Sequence, residues 1–185
     1  MRTGRSTGLL AGIGRERSVP LRGRITRQLA ACCIARLIVL GTERSEQPII
    51  IYIDSPGGSI ADAIPILSTM NGIKSPIATL CTGEANGPAA AILAAGSAGC
   101  RAAISGASFT FKPARAIKTG RSMASDEKFI YMLAEIMAKD IGKPEAEVIG
   151  WLQAGAQFDT QQAISKGLID SISAKPVLPK VIAKA

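Results

Sequence analysis

The stretch Leu80-Cys81-Thr82-Gly83-Glu84-Ala85-Asn86-Gly87-Pro88-Ala89-Ala90-Ala91-Ile92-Leu93-Ala94-Ala95-Gly96 constrains the fold more than any other part of the sequence. The apolar run Pro76 to Cys81 reads as a strand that ends in a small-residue elbow, and a compact apolar helix follows. Pro88 suits the first helical position, because its missing N–H would have no intrahelical partner there. Gly96 suits the position just past the helix, where a left-handed residue closes the last turn. Many hydrolases use such a strand–elbow–helix to lift a nucleophile above a sheet. Here Asn86 and Gly87 occupy the elbow, and neither is a usual nucleophile.

Around this element, 185 residues at 47% hydrophobic content fit one α/β domain with a sizeable core. Aromatics make up only 4%, so the core must be aliphatic and packed through alanine and glycine. No apolar run reaches the roughly 20 residues of a membrane span, and Arg36 interrupts the longest candidate, Ala30 to Leu40. A soluble chain without a membrane partner is expected. Cys32, Cys33, Cys81 and Cys100 lack metal-ligand spacing, and the chain has no histidine, so neither a metal nor another cofactor is expected. Buried free thiols in a reducing compartment are the simple reading. The charge of +8 is concentrated near the start, where Arg2, Arg5, Arg15, Arg17, Arg22 and Arg24 face only Glu16. No aromatic residues interleave with these arginines, so nucleic-acid binding is not expected. A cytoplasmic compartment is expected, or an organellar one if the arginine-rich start serves as a transit peptide.

The boundaries expected are a flexible basic segment over 1–16, one domain over 17–173 and a basic tail over 174–185. Arg17 to Ile25 is expected to hold a short strand, which Pro20 either weakens or marks as an edge. Thr26 caps a helix through Leu40 with Leu29, Cys32, Cys33, Arg36, Leu37 and Leu40 on one face. Ile49 to Ile53 reads as a parallel strand buried on both faces. Asp54-Ser55-Pro56-Gly57-Gly58 then turns into a helix with Ile60, Ala63, Ile64, Leu67 and Met70 inward and Pro65 in its interior. Strands are predicted at Ala102–Ile104 and Ser108–Phe111, followed by a basic surface loop from Lys112 to Ser122. A longer helix from Ser125 buries Phe129, Met132, Leu133, Ile136 and Met137 and stops at Gly142. Pro144 opens a helix with Val148, Trp151 and Leu152 inward, and Thr160 caps a last one that Gly167 closes before the strand-like Leu168–Ile172. Alternating β and α units argue for α/β architecture.

Ile51-Tyr52-Ile53-Asp54-Ser55-Pro56-Gly57-Gly58-Ser59 resembles the proteolytic subunit of the Clp protease, a serine peptidase. The similarity continues through Ser68-Thr69-Met70-Asn71-Gly72-Ile73-Lys74, the elbow, and Phe158-Asp159-Thr160-Gln161-Gln162-Ala163-Ile164-Ser165-Lys166-Gly167-Leu168-Ile169-Asp170. It spans roughly Arg17 to Ile172 in order. The resemblance implies the ββα spiral shared with crotonases, assembly into sevenfold rings with homologous or identical subunits, and an AAA+ ATPase that feeds the chamber.

Carried over residue by residue, the resemblance puts the family's nucleophilic serine on Gly87. Its histidine falls on Lys112, or on Phe111 after a one-residue slip, and its aspartate on Ala156. One oxyanion donor belongs to the glycine turn, Gly57 or Gly58. The other would be the amide of Pro88, which has no hydrogen; losing one such donor costs roughly 10²–10³ in rate. Asp159 lies on the wrong side of Phe158 to replace the aspartate. The glycine turn either only reverses the chain or also pairs with an extended peptide. The reading is a catalytically inactive Clp proteolytic-subunit homologue with a structural or regulatory role in a degradation complex. The alternatives are a peptidase with a relocated nucleophile and a crotonase-like acyl-CoA enzyme using Asp54 and Glu84 as its carboxylate pair.

Overall fold

A computed structural model describes residues 17–44, 46–111 and 123–178, with side chains from 127 onward in the last range. The expected flexible terminus and basic loop fall outside these residues, as does most of the expected C-terminal tail. The chain forms β1 (Ser18–Arg22), α1 (Arg27–Glu43), β2 (Ile49–Ser55), α2 (Ile60–Gly72), β3 (Ile77–Ala85), α3 (Pro88–Ala94) and β4 (Arg101–Ala103). After these come β5 (Phe109–Thr110), α4 (Met123–Ile141), α5 (Glu145–Ala154), β6 (Gln157–Phe158), α6 (Thr160–Ser165) and β7 (Ser171–Ile172).

Strands β1, β2, β3, β4 and β7 lie in that order in one sheet, and all four pairings are parallel. Each of the first three crossovers adds its strand to the same advancing edge, so the chain winds in one direction, as the expected spiral requires. A separate antiparallel pair, β5 with β6, joins Phe109 to Phe158 and Thr110 to Gln157. Pro20 sits on the edge strand β1, where its missing N–H interrupts no second ladder.

The isoleucine run of β2 is explained by burial on both sides. Ile49, Ile51 and Ile53 enter the main core, while Ile50 packs with Ala78, Cys100, Tyr52 and Leu178 on the other face. Each such side chain contributes about 1.5–3 kcal/mol when fully buried. Helix α3 is buried along its whole length. Five of its seven residues are proline or alanine, small enough for the close approach of its neighbours.

Two buried arginines tie loops to this frame. Arg17 donates to the carbonyls of Leu40 (2.8 Å), Arg44 (3.0 Å) and Gln47 (3.1 Å), completing the C-terminal end of α1. Arg101 holds both carboxylate oxygens of Asp170 (2.7 and 3.0 Å) and the Gly167 carbonyl (2.9 Å), fixing α6 and β7 against β4.

Several local expectations are corrected. Helix α2 buries Ile66 rather than Ile64, and it continues through Pro65, which is exposed. Gly96 does not adopt the left-handed conformation; it is needed because a Cβ there would stand 2.5 Å from Thr79 Oγ1. Asp159, not Thr160, caps α6: its carboxylate accepts from the Gln162 N–H (2.8 Å), and the Gln162 side chain accepts from the Asp159 N–H (3.0 Å). On α4, Leu133, Ala134, Met137 and Ala138 are buried, whereas Met132 and Ile136 are only half-buried. Cys32 is exposed, unlike the other three thiols.

Candidate active site

Strand β3 runs four residues beyond its expected end, and its pairing with β2 slips between Ile53 and Ser55. This slip brings the end of β3 over the turn that follows β2. The chain then reverses at Gly87, with φ +52° and ψ −116°, and Pro88 begins α3. An L-residue held in such a region costs on the order of 1–3 kcal/mol, a cost that glycine largely avoids. A Cβ on Gly87 would meet nothing within 4 Å, so the space beside the elbow is open.

The glycine turn lies directly against this elbow. A Cβ on Gly57 would stand 2.7 Å from the Asn86 carbonyl oxygen and 3.5 Å from Pro88 Cδ. The Gly57 N–H donates to Ser55 Oγ (3.2 Å), while its carbonyl accepts from Ile25 (2.8 Å). The Ser59 N–H in turn donates to the Ile25 carbonyl (3.0 Å). Of the two glycine amides, Gly58 alone keeps its N–H without a hydrogen-bond partner among the described residues.

The short strand β5 connects the elbow to Ala156. The Gly87 N–H donates to the Thr110 carbonyl (2.9 Å), and Asn86 Oδ1 accepts from the Thr110 N–H (2.7 Å). The Asn86 amide donates to the Glu84 carboxylate. One residue on, the Phe111 N–H donates to the Ala156 carbonyl (2.8 Å). Gly57, Gly58, Gly87, Pro88 and Ala156, far apart in sequence, are thus joined through Ile25, Asn86 and β5. Lys112, next after Phe111, lies outside the described residues.

Phe111 itself is fully buried, its ring tilted against those of Trp151 and Phe158 with centroids 6.0 and 5.7 Å away. Its ring belongs to the core, so the one-residue slip would put the family's histidine on an inward-facing position. Ala156 contributes only a methyl group. Asp159 is committed to its helix cap.

The other candidates offer no reactive pair. Asp54 is exposed, and its Oδ1 accepts from the Glu84 N–H (3.3 Å). The Glu84 carboxylate accepts from the Asn86 amide, and no hydrogen bond joins the two carboxylates among the described residues. Cys81 on β3 is fully buried, and burial pushes its thiol up to about 11, aided by Asp54 and Glu84 and opposed by a hydrogen bond from Gly83. A thiol so disfavoured as thiolate is a poor nucleophile. Among the described residues, no group of three or more acidic, cysteine or histidine side chains converges as metal ligands, and no helix is long and apolar enough to cross a membrane.

The residue that sequence reasoning missed is Asn86. It stood in view as a polar side chain in an otherwise small-residue elbow, but its partners Thr110 and Glu84 become visible only once β5 is placed.

The model of the Clp protease family matches residues 2–176. The ATP-dependent Clp protease proteolytic subunit of Dehalococcoides mccartyi is 32% identical over 170 residues, covering 88% of this chain and 84% of the relative. The spiral frame, the glycine turn against the elbow and these two similarities agree: the chain belongs to the Clp protease family and is a homologue of its proteolytic subunits.

Proposed function

We propose that this chain is a catalytically inactive Clp proteolytic-subunit homologue that serves as a structural or regulatory ring component in ATP-dependent protein degradation. The observation that carries this reading is the elbow itself. The position matching the family's nucleophile is Gly87, which has no hydroxyl, and the next residue, Pro88, has no N–H to stabilise an oxyanion. Acyl transfer needs both an attacking group and donors aimed at the developing negative oxygen. The Gly58 N–H is one such donor, and a lone donor without a nucleophile does not hydrolyse a peptide.

The matching base and acid positions are Lys112 and Ala156, and the absence of any histidine removes the usual general base. Extended peptide can still be held beside the glycine turn by main-chain pairing, which requires no triad. The partners proposed are Clp proteolytic subunits in a sevenfold ring, with an AAA+ ATPase docking on the ring.

Native mass spectrometry of the chain, alone and mixed with an active Clp proteolytic subunit from the same source, tests the assembly. Sevenfold homomeric or mixed species are expected. A trimer or hexamer that ignores the partner would refute the ring assignment and favour a crotonase-like acyl-CoA enzyme.

A further inference from the structure

The chain contains two asparagines, Asn71 and Asn86, and glycine follows both. This is the dipeptide most prone to deamidation, because glycine has no Cβ to hinder its own amide nitrogen. That nitrogen attacks the asparagine Cγ, the bond from Cγ to Nδ2 breaks, and ammonia leaves. Water then opens the resulting succinimide on either side, giving aspartate or isoaspartate. The net change consumes one water and releases one ammonia.

The fold treats the two sites differently. Asn71 and Gly72 are exposed and are the last two residues of α2, where a helix end frays. Asn86 is 5% exposed and restrained at every atom the reaction needs. Its Oδ1 accepts from the Thr110 N–H (2.7 Å), its amide donates to Glu84, and the attacking nitrogen of Gly87 is tied to the Thr110 carbonyl (2.9 Å). Two of these three restraints come from Thr110, on a strand only two residues long.

We propose that Asn86 is a deamidation site gated by β5: it is chemically silent while β5 is docked on the elbow and becomes reactive when β5 lifts, whereas Asn71 reacts in the folded chain. The modification is consequential at Asn86. An aspartate there cannot donate to Glu84 and sets two carboxylates against each other, and an isoaspartate inserts a methylene into the backbone beside Gly87. Asn86 thereby keeps an irreversible chemical record of how often the elbow opens, independently of whether the chain hydrolyses peptides.

The test is peptide mapping by mass spectrometry after incubation of the full chain at mildly alkaline pH, following the exchange of amide for hydroxyl at each asparagine. Three samples are compared: the folded protein, the protein in urea, and Thr110→Pro, which removes the N–H that Asn86 accepts from. In urea both sites should react alike. In the folded protein Asn86 should be slower than in urea by at least tenfold, equivalent to about 1.4 kcal/mol of opening free energy, with Asn71 clearly faster than Asn86. Thr110→Pro should raise the Asn86 rate and leave Asn71 unchanged. If that variant does not fold, Phe109→Val, which trims the buried ring that anchors β5, takes its place. Equal Asn86 rates in folded and unfolded protein, an Asn71 rate no faster than that of Asn86, or a folded variant with the parent's Asn86 rate would each overturn the proposal.

Discussion

Replacing Gly58 with alanine should be among the most damaging single-methyl additions in the protein. A Cβ at this position would lie 2.3 Å from the Ile25 carbonyl oxygen, 2.6 Å from its nitrogen and 2.9 Å from its Cα. All three are backbone atoms, so no side-chain rotation relieves the clash. The strand extension at Ile25 must move away, breaking the Ile25 N–H to Gly57 bond (2.8 Å) and the Ser59 N–H to Ile25 bond (3.0 Å). Two buried backbone hydrogen bonds lost with their partners left unsatisfied cost roughly 1–3 kcal/mol each. The left-handed backbone at φ +151° adds on the order of 1–3 kcal/mol for any residue with a Cβ. A total loss of about 3–9 kcal/mol is therefore expected, a large share of the roughly 5–15 kcal/mol typical of a domain.

Gly87→Ala is the internal reference, because its positive φ carries the same kind of strain while its Cβ meets open space. It should lose only about 1–3 kcal/mol. Urea unfolding followed by far-UV circular dichroism, with the slope unchanged between variants, reads both. A Gly58→Ala loss no larger than that of Gly87→Ala would refute the argument that Ile25 and the glycine turn form one rigid unit.

Two further predictions follow from charge and burial. Burial opposes the Asp170 charge, but the side-chain and backbone hydrogen bonds from Arg101 outweigh it and hold its carboxyl below the usual range. Its contribution is therefore present above the unfolded carboxylate value near 4 and is lost as pH falls through the lower folded value. Arg101→Met should cost about 3 kcal/mol at neutral pH, and its deficit relative to the parent should shrink on acidification in urea titrations. A deficit that does not change with pH would contradict the pairing. Burial also pushes the Cys33 and Cys81 thiols up to about 11 and raises that of Cys100, while Cys32 is exposed. A maleimide at mildly alkaline pH should label Cys32 alone in the folded chain; a second fast-reacting thiol would show that the core is open.

Much of the architecture was legible because it follows from local pattern. The Ile49–Ile53 run could only be a strand buried on both faces, Thr26 could be read as a cap from its position before an apolar rhythm, and of the two readings open for Pro20 the edge strand is the one realised. The misreadings have a common cause in tertiary contacts. Gly96 looks like a helix stop, yet its requirement comes from Thr79 on a neighbouring strand. Asp159 and Thr160 are both acceptable caps, and the reciprocal bonds with Gln162 decide between them. Cys32 and Cys33 share one helical rhythm, but the edge of the core falls between them. At the site, the elbow was visible as proline after glycine, whereas the Asn86–Thr110 lock depends on a strand 24 residues away and has no local signature.

The central claim is that a peptidase frame stands here without its reacting groups, and it is tested most directly by rebuilding them. The measurement is hydrolysis of a fluorogenic peptide by the parent chain and by Gly87→Ser, Pro88→Met, Lys112→His and Ala156→Asp combined in one variant, each checked for folding and assembly. The account predicts no turnover by the parent and measurable turnover by the combined variant. Hydrolysis by the parent, or a folded and assembled variant that still cleaves nothing, would contradict it.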